Sequence, residues 1–271
     1  MILCLDIGNS QIYGGVFEKD KILFQFRRSS KNASSSDEIG VFLRSVLREN
    51  DISHEKITQI AVCTVVPEIL HSLKNACRKY FGNVTPFVLQ AGAKTGLNIK
   101  YRNPLELGSD RIANAIAGLQ LFPNKNLIII DMGTANTVCA VSRQKEFLGG
   151  VIFPGIRISM TSLEMNTSKL PTVEIVATTS ATAKSTVEGI QAGLYLGTLG
   201  AIKEIVHRIK EESFPNEEAL VIGTGGFSSL YSEQNIFDHE IHDLVLKGLF
   251  LSLKMNQQSA RSQNDNQHAE V

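Results

Sequence analysis

The chain has no excess of either charge: 27 Lys and Arg balance 27 Asp and Glu over 271 residues. That balance gives no electrostatic reason to expect nucleic acid or an anionic membrane surface as a partner, and no DNA-binding helix motif is present. No apolar run approaches the length of a membrane span. The chain enters an apolar strand at once, without a basic region and cleavage site, so no signal peptide is expected. The four cysteines, Cys4, Cys63, Cys77 and Cys139, show no CxxC spacing. This argues against a zinc site and for reduced, mostly buried thiols in a cytoplasmic protein. There is no P-loop, and the glycine-rich turn in ALVIGTGGFSSL (219–230) has Ser228 where the last glycine of a dinucleotide fingerprint would stand. Hydrophobic content of 43% and charged content of 20% are ordinary globular values. The length suits one large or two medium domains.

The organising stretch is ILCLDIGNSQIYGGVF, residues 2–17. Ile2 to Leu5 read as a buried strand, Asp6 to Ser10 as a tight polar turn, and the run through Gly14 and Gly15 as a second strand. Glycine in the turn lets a ligand approach the backbone, turn amides can converge on an anion, and a carboxylate beside them suits magnesium. An ordinary polar hairpin would read the same way on this stretch alone. LIIIDMGTANTVCAV (127–141) repeats the pattern, with Asp131 and Gly133 each 125 residues after Asp6 and Gly8. A repeat of that length points to two related halves, each offering a polar turn to a shared cleft.

Between the hairpins, Ser35 or Ser36 is placed to cap a helix running to about Glu49, with Asp37 and Glu38 in its first turn. ITQIAVCTVV (57–66) reads as a strand closed by Pro67. Residues 91–108 lack a clean period and hold three glycines and a proline; a loop that long is often functional. It leads into GSDRIANAIAGLQLF, a helix with Ser109 as expected N-cap. Asp110 and Arg111 in its first turn are either a solvated capping pair or face whatever the loop encloses. Ser185 and Glu188 form a capping box for a long helix to about Glu211. Its glycines 189, 193, 197 and 200 recur at helical spacing. They fit close packing within the chain or a helix–helix dimer interface. After Lys254 the polar, Gln/Asn-rich tail is expected to be disordered.

The two hairpins and the glycine turn resemble the actin-like, acetate-and-sugar-kinase and Hsp70 ATPase superfamily. This implies an α/β fold of two duplicated actin-like (ribonuclease H-like) lobes with the active site in the cleft between them: 1–122, 123–254, and the tail 255–271. With NPLELGSDR, the GGVIFPG loop and STVEGIQAG added, in this order, the chain resembles the type III pantothenate kinase family. These are bacterial enzymes that phosphorylate pantothenate at the start of coenzyme A biosynthesis. The resemblance implies ATP contacts at Asp6, Ile7, Gly8, Asn9, Ser10, Gln11, Ile12, Tyr13 and Thr134, with Asp6 toward magnesium. It implies a pantothenate site at Tyr101, Gly108, Ser109, Asp110, Arg111 and Thr186, with Asp110 as catalytic base and Arg111 as anion partner. It further implies a monovalent cation, potassium or ammonium, at Asp131, and a homodimer.

One position departs from the family pattern. An acid often follows two residues after the second threonine of GTAxT, and here Cys139 stands there. A thiol does not replace a carboxylate as a hard-cation ligand. The rival readings are a non-enzymatic accessory factor affecting transcription, and a kinase for another small hydroxylated or carboxylic acid.

Overall fold

Two apolar runs become the central strands of two separate sheets. In this computed structural model the described residues are 1–30, 35–64, 66–90 and 92–269, with side chains for all of these except 67 and 259–269. In chain order the regular elements are β1 (Ile2–Ile7), β2 (Gln11–Glu18), β3 (Lys21–Ser29), α1 (Ser36–Glu49), β4 (Gln59–Thr64), α2 (Pro67–Tyr80), β5 (Phe87–Val88) and β6 (Asn98–Ile99). They continue as α3 (Ser109–Leu121), β7 (Asn126–Met132), β8 (Ala135–Val141), β9 (Glu146–Pro154), α4 (Ile156–Met165), α5 (Thr186–Ser213), β10 (Ala219–Thr224), β11 (His239–Glu240) and α6 (Leu244–Ala269). One unit comprises Met1–Gly96, Asn103–Ala117 and Leu244–Val271; the other comprises Leu97–Arg102 and Gly118–Asp243.

The duplication holds at the level of strand pairing. The first sheet runs β3-β2-β1-β4-β5 and the second β11-β10-β7-β8-β9-β6. In each, the central strand pairs antiparallel with the next strand in sequence and parallel with one that follows a helix. Asp6 lies in register with Tyr13 on β2 and Cys63 on β4. Asp131 lies in register with Thr137 on β8 and Thr224 on β10. These central strands are buried on both faces, which is why Ile2–Leu5 and Leu127–Ile130 are unbroken apolar runs rather than alternating ones. The edge strand β3 alternates exposed and half-buried residues.

Strand parity assigns the faces. In the first unit Leu3, Leu5, Ile7, Ile60 and Val62 share a core with Ile39, Leu43 and Leu47 of α1 and Ile69 and Leu73 of α2. Asp6 and Cys63 therefore point to the opposite face, the side on which α6 lies against β1, β2 and β4. Phe250 of α6 stacks on Phe17 at 4.6 Å between ring centres. In the second unit Ile128, Ile130 and Val221 pack with Ile190, Leu194 and Ile202 of α5, so Asp131 and Thr224 share the other face.

The expected capping of α1 is present: the Ser35 hydroxyl accepts from the Glu38 amide and the Glu38 carboxylate accepts from the Ser35 amide. Several expectations are corrected. Ser109 does not cap α3; the Gly108 carbonyl accepts the first helical bond from Ile112, and the Ser109 hydroxyl donates to the Thr64 carbonyl at 3.5 Å. Ser185 caps α5 through the Glu188 amide, but the Glu188 carboxylate reaches the Lys184 amide rather than that of Ser185. Helix α6 extends past the expected boundary at residue 254 as far as Ala269, and residues 270 and 271 lie outside the described residues. Asn256 within the helix exchanges two hydrogen bonds of 2.9 Å with the Lys94 backbone. The halves also divide differently from 1–122 and 123–254. The apolar face of α6 belongs to the first sheet, and β6 pairs with β9, Asn98 opposite Glu146, in the second.

Gly248 marks where α6 crosses α3, since a Cβ there would run into the backbone carbonyl of Ala113. Gly248→Ala is expected to destabilise the protein by about 1–3 kcal/mol, read from urea unfolding, because backbone does not yield as a side-chain tip would.

Candidate active site

Five of the expected site residues, Asp6 and Gly108 to Arg111, come together at the carboxyl end of the parallel β1–β4 pair. Asp6 is half-buried at the end of β1, and the Cys63 thiol donates to its Oδ1 at 3.1 Å. Ser109 is tied to the next residue of β4, and Asp110 follows it in the first turn of α3. Burial pushes the Cys63 thiol well above its usual pKa, and the negative charges of Asp6 and Asp110 add to this effect. Both carboxylates thus lie within electrostatic reach of one buried thiol. Asp110 Oδ1 accepts from the Arg111 amide at 2.8 Å. A Cβ on Gly108 would come within 2.5 Å of the same oxygen, so glycine there gives the carboxylate its place. Arg111 is only 5% exposed.

The first turn is closed and clamped. The Gly8 amide donates to the Gln11 carbonyl at 3.0 Å. The Ser30 hydroxyl, just past β3, donates to the Gly8 carbonyl at 2.7 Å, and the Ser30 amide donates to the Ser10 carbonyl at 3.0 Å. Asn9 and Gln11 are exposed at the tip. Ile7 and Ile12 are sunk in the core, so only their backbone is available to a ligand. Tyr13 is likewise buried, donating to Gln25 Oε1 at 2.6 Å, with the Arg27 guanidinium 3.8 Å from its ring centre. By contrast, a Cβ on Gly8 would meet nothing nearer than the Gln11 carbonyl oxygen at 3.5 Å. Protein packing does not demand glycine here, since a methyl group would make only ordinary contact.

The second unit repeats the device. The Gly155 amide donates to the Thr134 carbonyl at 3.1 Å, and Gly155 stands 125 residues after Ser30 as Gly133 stands after Gly8. A Cβ on Gly133 would meet only the Ala135 carbonyl at 3.5 Å and Asp131 Oδ1 at 3.7 Å. Gly225, at φ +93°, lies so close to Asp131 that a Cβ would come within 2.5 Å of Oδ1. The glycine turn after β10 is thereby fitted to the second aspartate. Thr134 and Asp131 are half-buried. Cys139 lies two residues further from the turn than Thr137, its thiol 3.9 Å from the Thr137 hydroxyl. Tyr101 packs edge-on against Phe147 at 5.7 Å. Thr186 is exposed at the start of α5, at one end of a groove of about 720 Å³ lined by Ile158, Leu163, Gly189, Gly193 and Leu194.

These residues suit a nucleotide that brings its own magnesium. Among the described residues no cluster of three or more His, Cys, Asp and Glu forms a protein cage. Magnesium typically takes one or two carboxylates and shares its remaining positions with phosphates and water. Asp6 beside the open Gly8 turn fits that pattern. Asp131 is one half-buried carboxylate with Gly133 and Gly225 close beside it. Sequence reading missed Cys63, Thr64 and Ser30, and it singled out the turn of Gly225 without tying it to Asp131. The signal for Gly225 was its place after a strand; for the others it was strand register, which no local pattern reveals.

The sequence profile described as type III pantothenate kinase matches residues 2–208. A type III pantothenate kinase of Legionella pneumophila (strain Paris) is 57% identical over 256 residues, covering 94% of this chain and 99% of the relative. That of Elusimicrobium minutum (strain Pei191) is 48% identical over the same length, again 94% and 99%. Among solved structures, a 2-dehydro-3-deoxygalactonokinase protein from Sinorhizobium meliloti superposes with a TM-score of 0.59 at 12% identity, covering 94% of this chain and 96% of that one. A Baf family transcriptional activator from Campylobacter jejuni gives 0.58 at 21%, covering 94% and 99%. At those identities the two structures establish the fold alone, that of the actin-like ATPases and sugar kinases. The sequence profile and the relatives that match almost from end to end establish more: this chain belongs to the type III pantothenate kinase family.

Proposed function

We propose that this protein transfers the γ-phosphoryl group of ATP to the primary hydroxyl of pantothenate, the first step of coenzyme A biosynthesis, with Asp110 as base. The observation that carries the assignment of roles is the pairing of Asp6 and Asp110 about Cys63. Phosphoryl transfer asks little covalent chemistry of a protein; it asks for alignment and for compensated charge. Charge compensation on the phosphates is what magnesium supplies when bound with ATP. The turn of Asp6, Gly8, Asn9, Ser10 and Gln11 holds the phosphates, with backbone contributed by Ile7, Ile12 and Tyr13, and Thr134 touches the nucleotide from its own turn. Asp110 orients the attacking hydroxyl and accepts its proton as the phosphorus–oxygen bond forms and ADP departs. Arg111, a neighbour fixed by burial, pairs with the carboxylate of pantothenate. Gly108 and Ser109 shape that site, and Tyr101 and Thr186 contact the substrate. Asp131 holds potassium or ammonium.

The protein acts as a homodimer through α5. A Cβ on Gly193, Gly197 or Gly200 would meet nothing within 4 Å, so these glycines serve no packing inside the chain. An uninterrupted small-residue face on an exposed helix suits close approach of a second helix.

ADP release is to be measured with ATP and magnesium, with and without pantothenate, in potassium and then in sodium. Turnover needing pantothenate and potassium is expected; nucleotide binding without pantothenate-dependent turnover in potassium, sodium or ammonium overturns the assignment. Asp110→Asn is expected to lower kcat by about 10²–10⁴-fold while ATP still binds, since it removes the proton acceptor and little else. Gly8→Ala is expected to leave the melting temperature unchanged and raise the KM for ATP, because its methyl group fills space that only a ligand would claim; an unchanged KM removes this turn from the nucleotide site. Gly197→Leu is expected to convert the dimer to monomer in sedimentation without loss of helix content by circular dichroism.

A further inference from the structure

The second strand of the parallel pair holds a residue that the kinase roles leave unused. Cys63 is fully buried, 0% exposed, and its thiol donates to Asp6 Oδ1 at 3.1 Å. The two residues are in register across β1 and β4, so the backbone keeps them side by side whatever occupies the turn. The next residue continues the linkage. Thr64 donates from its hydroxyl to the Ile7 carbonyl at 3.3 Å, and its own carbonyl accepts from the Ser109 hydroxyl at 3.5 Å. The end of β4 is therefore bonded both to the strand that carries Asp6 and to the helix turn that carries Asp110.

A carboxylate rotates broadly about its terminal torsion. A donor fixed by a sheet removes that freedom. The choice of thiol has a physical reason. A hydroxyl at a fully buried position brings two acceptor lone pairs and incurs a desolvation cost for any left unsatisfied. A thiol behaves as a small apolar group with one weak donor. The duplicated unit offers an independent parallel. Thr224, 2% exposed, holds the same register position opposite Asp131. Both units thus set a side chain able to donate a hydrogen bond beside the aspartate at the end of the central strand.

We infer that Cys63 is a positioning residue that fixes the plane of the Asp6 carboxylate for the magnesium–nucleotide complex. This rests on the proposed role of Asp6, not on the identity of the phosphoryl acceptor. The test compares the full-length protein with Cys63→Ala and Cys63→Ser. Calorimetric titration with a non-hydrolysable ATP analogue, in the presence and absence of magnesium, gives a readout independent of turnover; the magnesium activation curve and the melting temperature are measured alongside. Loss of a group that orients a metal ligand typically weakens metal binding by about 10–100-fold. Cys63→Ala is expected to weaken magnesium-dependent binding of the analogue by about ten-fold and to raise the half-activating magnesium concentration to match. Binding without magnesium should be unchanged. Cys63→Ser keeps a donor and is expected to stay within about three-fold of the parent. Equal magnesium-dependent binding by parent and Cys63→Ala overturns the inference, as does an equal defect in Ala and Ser variants of unaltered melting temperature, which would assign the effect to volume. A parent that binds magnesium with the analogue but does not phosphorylate pantothenate overturns the kinase reading alone, and the calorimetry still decides the role of Cys63. A parent that binds no nucleotide overturns both.

Discussion

In both units the central strand is held between an antiparallel neighbour made at once by the chain and a parallel neighbour that arrives only after a helix. The antiparallel side sets the polar turn; the parallel side sets what stands next to the aspartate. Because the side-chain period of a strand is two, a slip of one residue between β1 and β4 would send Cys63 into the apolar core and bring Val62 or Thr64 to Asp6. The register is enforced from the other face, where Ile60 and Val62 must meet α1 and α2 along with Leu3, Leu5 and Ile7. Core packing on one face thus dictates polar chemistry on the other.

Glycine serves two purposes around these turns, and the difference lies in what a Cβ would meet. At Gly15 it would come within 2.9 Å of Leu246 of α6, and at Gly223 within 2.7 Å of the Phe237 ring. Those glycines are there so that large apolar side chains can reach a strand. At Gly8 and Gly133 a Cβ would make only ordinary contacts, none nearer than 3.5 Å. The turns themselves stay rigid, since Ser30 and Gly155 clamp them from beyond β3 and β9. A firm backbone with polar groups held in place is what electrostatic preorganisation requires.

Much of this was legible in the sequence. The continuous apolar runs at Ile2–Leu5 and Leu127–Ile130 announced central strands, and the recurrence of Asp and Gly at a constant offset announced the duplication. Ser35 with Glu38 marked the start of α1. What escaped was non-local. Cys63 reads as one more buried thiol until β4 is laid against β1. Ser109 looks like a cap until its hydroxyl is seen to reach across to β4. The polar composition after Lys254 gives no sign of the hydrogen bonds of Asn256, which go to backbone at Lys94, a partner that no periodicity predicts. The boundary between halves was missed for the same reason: α6 follows the second unit in sequence and packs on the first.

That last arrangement has a bearing on synthesis. A ribosome delivers residues in order, and when Ala117 has emerged the first unit possesses its whole sheet, α1, α2 and the opening turns of α3. The face that α6 covers, including Phe17 and Gly15, is still bare. The stretch from Gly118 to Asp243 must be translated before Leu244 appears, an interval of roughly ten seconds at common elongation rates. The unit that begins first is completed last, and for that interval its apolar underside is a natural client for a chaperone.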